Sequence, residues 1–240
     1  MQWQEDGIVL GLRKHGESNA ILELMTRTYG RHLGLVRGGR GARLAAVLQP
    51  GNSVSAVWQA RLSEHLGTYA VEPQVMRAAR IIDNAAALFC LSTVAALLRL
   101  LPERDPHAGL YDALGVIVAH LDNPNVAAAL LVRFELALLA DLGFGLDLES
   151  CAATGGRNEL IYVSPKSGRA VSRLAGEPYK SRLLPLPRFA TPVGEGAEAG
   201  PRDLGDGLAL TGYFLDRNVF APRALAMPES RASFIKAVCG

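Results

Sequence analysis

The sequence predicts an α+β protein: a five-stranded N-terminal β-barrel followed by a helical domain. Two observations carry that expectation. Through about Val75 the apolar residues come in short β-compatible runs broken by Gly-rich turns. From Arg77 to Leu142 they recur with helical spacing between Pro, Asn and Gly stops. A third observation separates the two parts by charge. Residues 1–80 hold ten Lys and Arg against six Asp and Glu, and since the whole chain of 240 residues carries only +2, the remainder is at −2. Basic character gathered in one domain points to an anionic partner there, nucleic acid first.

The first two runs, Ile8 to Arg13 and Ala20 to Met25, are separated by the turn-forming His15-Gly16-Glu17-Ser18-Asn19. Tyr29-Gly30 closes the second and leads into a third, Arg31 to Val36. Asn52 to Ala60 and Gly67 to Val71 complete the set, the last ended by Pro73. No helical spacing is visible before Val75. Five short strands of this total length suit an oligonucleotide-binding barrel. An SH3-like barrel suits the pattern almost as well.

Asp83 to Leu101 is apolar on nearly every side and stops at Pro102, Leu110 to Leu121 stops at Asn123-Pro124, and Val126 to Leu142 ends at Gly143. Helices apolar most of the way round belong at the centre of a bundle. The domains expected are therefore 1–76, binding nucleic acid, and 77–240, helical. Within the second, the Gly-, Ala- and Pro-rich stretch 190–202 predicts a mobile loop. Leu204 to Val219 reads as a helix that tolerates Gly205, Gly207 and Gly212 only by packing, with Phe214 and Phe220 facing the core. Ser230 to Val238 is a final short helix.

The candidate interface lies between Thr26 and Gly51, which contains Arg27, Arg31, Arg37, Arg40 and Arg43 and no acid. Glycines beside Arg31, Arg37 and Arg40 let the backbone approach a ligand closely. Planar guanidinium groups on such a loop suit a polyanion; the plainer alternative is a solvated basic turn. Arg13 and Lys14 extend the set, and Tyr29 is the stacking candidate, whereas Trp58 is expected in the core. With few aromatics, affinity should come from phosphates, fall steeply with salt and show little sequence preference. In the third helix, Arg133 with Leu130, Phe134 and Leu138 suggests a cation beside an apolar groove, fit for the carboxylate end of a partner peptide. A snorkelling surface residue is the alternative.

An enzyme reading finds no support in the motifs. The loop Arg37 to Gly41 lacks a GK[ST] ending, GxSxG is absent, and the five histidines show no paired-ligand spacing. His15 and His32 fall in the basic region, where a surface position near phosphate fits better than catalysis. Three scattered cysteines, Cys90, Cys151 and Cys239, imply reduced thiols. Trp3, Glu5 and Asp6 do not suit a secretory leader, and the apolar run Ala85 to Leu98 is too short to span a bilayer. A cytoplasmic, nucleoid-associated protein is expected.

Asp6-Gly7-Ile8-Val9-Leu10, Gly16-Glu17-Ser18-Asn19, the run Thr26 to Arg43 and Leu48-Gln49-Pro50-Gly51 resemble the opening of the bacterial RecO family. More specific is Val132-Arg133-Phe134-Glu135-Leu136-Ala137-Leu138-Leu139-Ala140-Asp141-Leu142-Gly143-Phe144, followed by Leu146-Asp147-Leu148, Cys151 and Gly155. The resemblance runs in order over residues 6–235, including Tyr162-Val163-Ser164-Pro165 to Val171. It implies an oligonucleotide-binding barrel, a helical domain and a small β-lobe inserted at 150–175. It also implies a non-catalytic recombination mediator. Such a protein binds single- and double-stranded DNA, anneals strands, binds the acidic tail of single-strand binding protein, and with RecR helps load RecA at gaps. An RNA-binding barrel protein or a protein-binding scaffold are the alternatives, the first separable by a preference for the 2′-hydroxyl.

Many members of that family hold zinc in the lobe through two CxxC pairs. Here Cys151 keeps the first position, Thr154 stands in place of its partner, and no cysteine lies between Cys151 and Cys239. Four Cys or His ligands are needed and no His follows His120, so zinc is expected to be absent. Packing of Leu160, Ile161, Val163 and Val171 should hold the lobe, with Lys166, Arg169 and Arg173 as its basic surface or as plain solvated charges.

Overall fold

The computed structural model describes residues 1–191, 194 and 198–240; the stretch 190–202, expected as a mobile loop, lies partly outside them. Five strands, β1 (Gln2–His15), β2 (Asn19–Thr26), β3 (Gly30–Val36), β4 (Ser53–Gln59) and β5 (Thr68–Val75), form a closed barrel in the order β1-β2-β3-β5-β4. All neighbours are antiparallel except β3 and β5, which touch only through Leu35↔Thr68 and Val36↔Tyr69. β1 begins six residues earlier than the apolar pattern indicates. Its polar first half, Gln2 to Ile8, pairs with β4, and its second half, Gly7 to His15, pairs with β2, with an irregularity between Val9 and Gly11. Pairing to a second neighbour makes that half a strand, not its composition.

β5 likewise runs through Pro73, opposite Val54, instead of ending there. The short β3–β5 contact leaves the other edge of β5 open beyond Tyr69, so the missing N–H of Pro73 costs no ladder bond. Val9, Leu22, Leu24, Val36, Val54, Ala56, Trp58 and Tyr69 fill the interior. Each such side chain contributes roughly 1.5–3 kcal/mol by leaving water. Trp58 is in the core as expected and donates from Nε1 to the Leu66 carbonyl at 3.0 Å.

A short helix that the sequence reading did not place is α1 (Ala42–Val47), six residues, too short to show a period. Buried Asn52 ties it to the next helix. Its Nδ2 donates to the Ala46 and Val47 carbonyls at 2.9 and 3.0 Å, and its Oδ1 accepts from the Arg77 and Ala78 amides at 2.7 and 2.9 Å. Then come α2 (Ala78–Ile82), α3 (Ala85–Leu98), capped by Asn84, and α4 (Ala108–Ala119). α5 (Pro124–Asp141) begins at the Asn123-Pro124 pair, Asn123 accepting from two amides and Pro124 standing where no amide is needed.

The chain forms two compact units, 1–122 and 123–240, so α2 to α4 belong with the barrel and not with α5. The expected boundary at 76/77 follows the change of secondary structure instead. In the second unit β6 (Leu160–Val163), β7 (Ala170–Ser172) and β8 (Leu184–Pro185) make a three-stranded sheet in the order β7-β6-β8. α6 (Arg173–Gly176) follows β7. α7 (Pro201–Leu215) packs on α5, and α8 (Glu229–Cys239) on both. Two of the three glycines of α7 are close contact points, whereas Gly205 has only an ordinary contact with Cys239. A Cβ on Gly207 would lie 2.9 Å from the Phe189 ring, and one on Gly212 would lie 2.9 Å from the Arg231 guanidinium. Phe214 and Phe220 are buried, as the pattern predicts.

Candidate nucleic-acid interface

The eight residues singled out in the barrel divide between its two ends. Strand register decides which goes where: Lys14 lies opposite Ala20 and Ala20 opposite Val36, while Thr26 lies opposite Gly30. Arg13, Lys14, Arg37, Arg40 and Arg43 therefore gather at one end, on the β1–β2 turn and the β3–α1 loop. Arg27, Tyr29 and Arg31 sit at the other end of the β2–β3 hairpin, about 20 Å away at the usual strand rise.

At the first end Gly16 and Gly38 both adopt a φ of +63°, which lets the two loops turn back beside each other. Gly39 is buried, and a Cβ there would come 3.0 Å from that of Ala20. Gly38 N donates to Asn19 Oδ1 at 3.1 Å and Arg40 N to the Ser18 carbonyl at 3.0 Å. Arg13, Lys14, Arg37 and Arg43 are exposed, and among the described residues none has a side-chain hydrogen bond or ion pair. Arg37 also lines, with Val36, Leu44, Val57 and Tyr69, a surface groove of about 710 Å³.

The second end is built differently. Arg27 grips Asp112 of α4 with two bonds, 3.1 and 3.0 Å, and holds that carboxyl below its usual range. Arg31 donates to Glu23 at 3.0 Å and to the Leu101 carbonyl at 3.2 Å. Arg99 completes the cluster, bonding Glu23 at 3.0 and 2.6 Å. Burial would raise the Glu23 pKa, but the two guanidinium groups hold it below the ordinary value. Tyr29 stacks on Trp3, with centroids 4.3 Å apart and planes 12° off parallel, and Trp3 stacks in turn on Trp58 at 5.8 Å. One face of the predicted stacking surface is thus already covered.

His32 is not at the surface. It is buried, 2.9 Å from Tyr69 through Nδ1, and burial, reinforced by Arg104, pushes its pKa down to about 4. β3 alternates, and His32 falls on an inward position whose polarity masks that role. Arg104 also went unnoticed in the sequence. It holds a φ of 65°, donates to the Ser63 and His65 carbonyls and lies 5.9 Å over the Trp58 ring.

In the second unit the four residues proposed for a partner's tail do not line an open groove. Phe134 and Leu138 are buried, Leu130 is half-buried, and Arg133 donates from Nε and Nη2 to the Phe189 carbonyl at 3.2 and 3.1 Å. The acid beside them has a remote partner. Buried Glu135 bonds Arg231 of α8 at 2.7 and 2.9 Å, with Thr211 donating to the same carboxylate. Nothing near Glu135 in the sequence announces a cation 96 residues away.

The lobe is held by packing and hydrogen bonds. Val163 and Val171 are buried, while Leu160 and Ile161 are half-buried. Cys151 Sγ accepts from Ser172 N at 3.3 Å and lies 3.4 Å from its hydroxyl. Burial raises the thiol pKa, but bonds from Ser172, Thr154 and backbone amides outweigh it and bring it down to about 6. Among the described residues no three His, Cys, Asp or Glu side chains converge, so the donor set does not fit tetrahedral zinc. Of the lobe's cations, Arg169 pairs with Asp147 and Arg173 with Glu159, both at 3.1 Å, and Lys166 is exposed. No helix among the described residues is long and apolar enough to cross a membrane.

Two family models match the chain, one described as recombination protein O N terminal over residues 1–73 and one as recombination protein O C terminal over residues 80–225. Among curated relatives, a protein of Methylobacterium nodulans named DNA repair protein RecO is 60% identical over 98% of this chain and 97% of its own. Proteins of the same name from Methylorubrum extorquens and Mesorhizobium japonicum are 57% and 56% identical, covering 98% and 99% of this chain and 97% and 94% of theirs.

Proposed function

The chain belongs to the RecO family, and from that premise we propose that it is a non-catalytic mediator of DNA repair and homologous recombination. It binds single- and double-stranded DNA at the barrel end that carries Arg13, Lys14, Arg37 and Arg43 and anneals complementary strands. With RecR and the tail of single-strand binding protein it helps RecA load at gaps, in the cytoplasm and on the nucleoid. The observation that supports this reading most is the convergence of Arg13, Lys14, Arg37 and Arg43 on one barrel end without protein partners among the described residues. Cations in no ion pair, with Glu17 the acid in the adjoining turn, beside loops with close backbone approach, suit a phosphate chain and read no bases.

Titration of a fluorescent single-stranded oligonucleotide at several salt concentrations tests it. Four phosphate contacts should give a slope of log K against log salt of about −3. Annealing should quicken with protein and respond to RecR and to single-strand binding protein. Absence of binding at low salt would reject the DNA reading, and a marked preference for RNA of the same sequence would favour the RNA-binding alternative.

A further inference from the structure

Arg40 is placed unlike its neighbours. Its Nη1 donates to the carbonyls of Gly16 at 3.2 Å and Glu17 at 2.5 Å, both in the β1–β2 turn. Its own amide donates to the Ser18 carbonyl at 3.0 Å, and two residues earlier Gly38 N donates to Asn19 Oδ1 at 3.1 Å. Four hydrogen bonds thus run from one short loop to one short turn. Arg13 and Lys14 lead into that turn, and Arg37 and Arg43 flank that loop.

We infer that Arg40 is a positioning residue: it clips the β3–α1 loop to the β1–β2 turn, so that Arg13, Lys14, Arg37 and Arg43 meet a phosphate chain as one preformed surface. Arg40 is exposed like the other four cations, but its guanidinium is engaged with backbone carbonyls, whereas their side chains have no partner among the described residues. Without the clip, two Gly-containing loops would have to be ordered at the moment of binding, at a cost in affinity. The inference rests on the DNA reading above and assigns Arg40 a different job from the one its place among the arginines suggests.

The two roles differ in how binding responds to salt. A phosphate contact releases a counterion, so its loss makes the log–log slope shallower by about 0.7 on single strands. A positioning residue leaves the contacts intact once formed, so its loss lowers affinity equally at every salt. The experiment titrates a labelled single-stranded oligonucleotide against wild type, Arg40→Ala, Asn19→Ala and the double variant Arg37→Ala/Arg43→Ala. Asn19→Ala changes no charge and loosens the same junction. Arg40→Ala and Asn19→Ala should each weaken binding roughly threefold to tenfold with the wild-type slope. The double variant should be shallower by about 1.4. A slope shallower by about 0.7 for Arg40→Ala, with Asn19→Ala binding as wild type, would make Arg40 a phosphate contact and overturn the inference. Wild-type affinity in both single variants would overturn it equally. A wild-type slope in the double variant is a distinct failure: it removes DNA from this barrel end, and the inference falls with it.

Discussion

The two ends of the barrel start from the same material and finish with opposite chemistry. At the hairpin end Arg27 and Arg31 are paired with Asp112 and Glu23, so their charge is already matched within the protein. At the other end Arg37 and Arg43 meet no acid among the described residues and remain available. An arginine-rich stretch is therefore not in itself an interface. The acids that other segments bring to each end decide how much of the charge is left for a ligand. Tyr29 illustrates the same point with aromatics, since Trp3 occupies one of its faces.

The contrast can be broken at its strongest point first. Glu23→Ala strands Arg31 and Arg99 without their shared carboxylate and should cost about 3 kcal/mol of stability, the low end for a broken buried pair because Arg99 is partly exposed. Its salt slope for oligonucleotide binding should stay as in wild type. A shallower slope would mean that the hairpin end also contacts phosphate.

Acidification probes the same end through His32. Its folded pKa of about 4 lies below the ordinary value of 6.5, so the folded state resists the proton that the unfolded chain accepts. Stability should be full above pH 6.5 and decline as pH falls toward 4, by up to about 3 kcal/mol at 1.36 kcal/mol per unit. Denaturant melts of wild type and His32→Gln across that window check this, the variant showing the flatter profile. The Glu23 contribution behaves alike but lower, present above its ordinary value of 4.5 and lost only as pH falls through its depressed folded value. A smaller effect sharpens the contrast. Arg27→Ala removes an exposed pair and should change neither the melting temperature nor the salt slope measurably.

Much of the architecture was legible because it rests on local pattern. Short apolar runs with glycine turns located the strands, and Asn123-Pro124 marked a helix boundary, although as the start of α5 as much as the stop before it. The chemistry of Trp58, Phe214 and Phe220 sufficed to put them inside. What escaped had no local signal: the polar half of β1, the continuation of β5 past Pro73, and the short α1. The units dividing at 122/123 escaped for the same reason, because packing and not periodicity draws that line.

The site divides along the same line. Composition and spacing already held the arginine density and the glycines that let the loops fold back, and the family resemblance implied the departure from the CxxC pattern. Three-dimensional packing decided which arginines keep their charge for a partner. Glu23 reaches Arg99 across 76 residues of sequence and Arg231 reaches Glu135 across 96. Periodicity is a property of neighbours along the chain, whereas an ion pair depends on distance in space, and only the folded chain sets that distance.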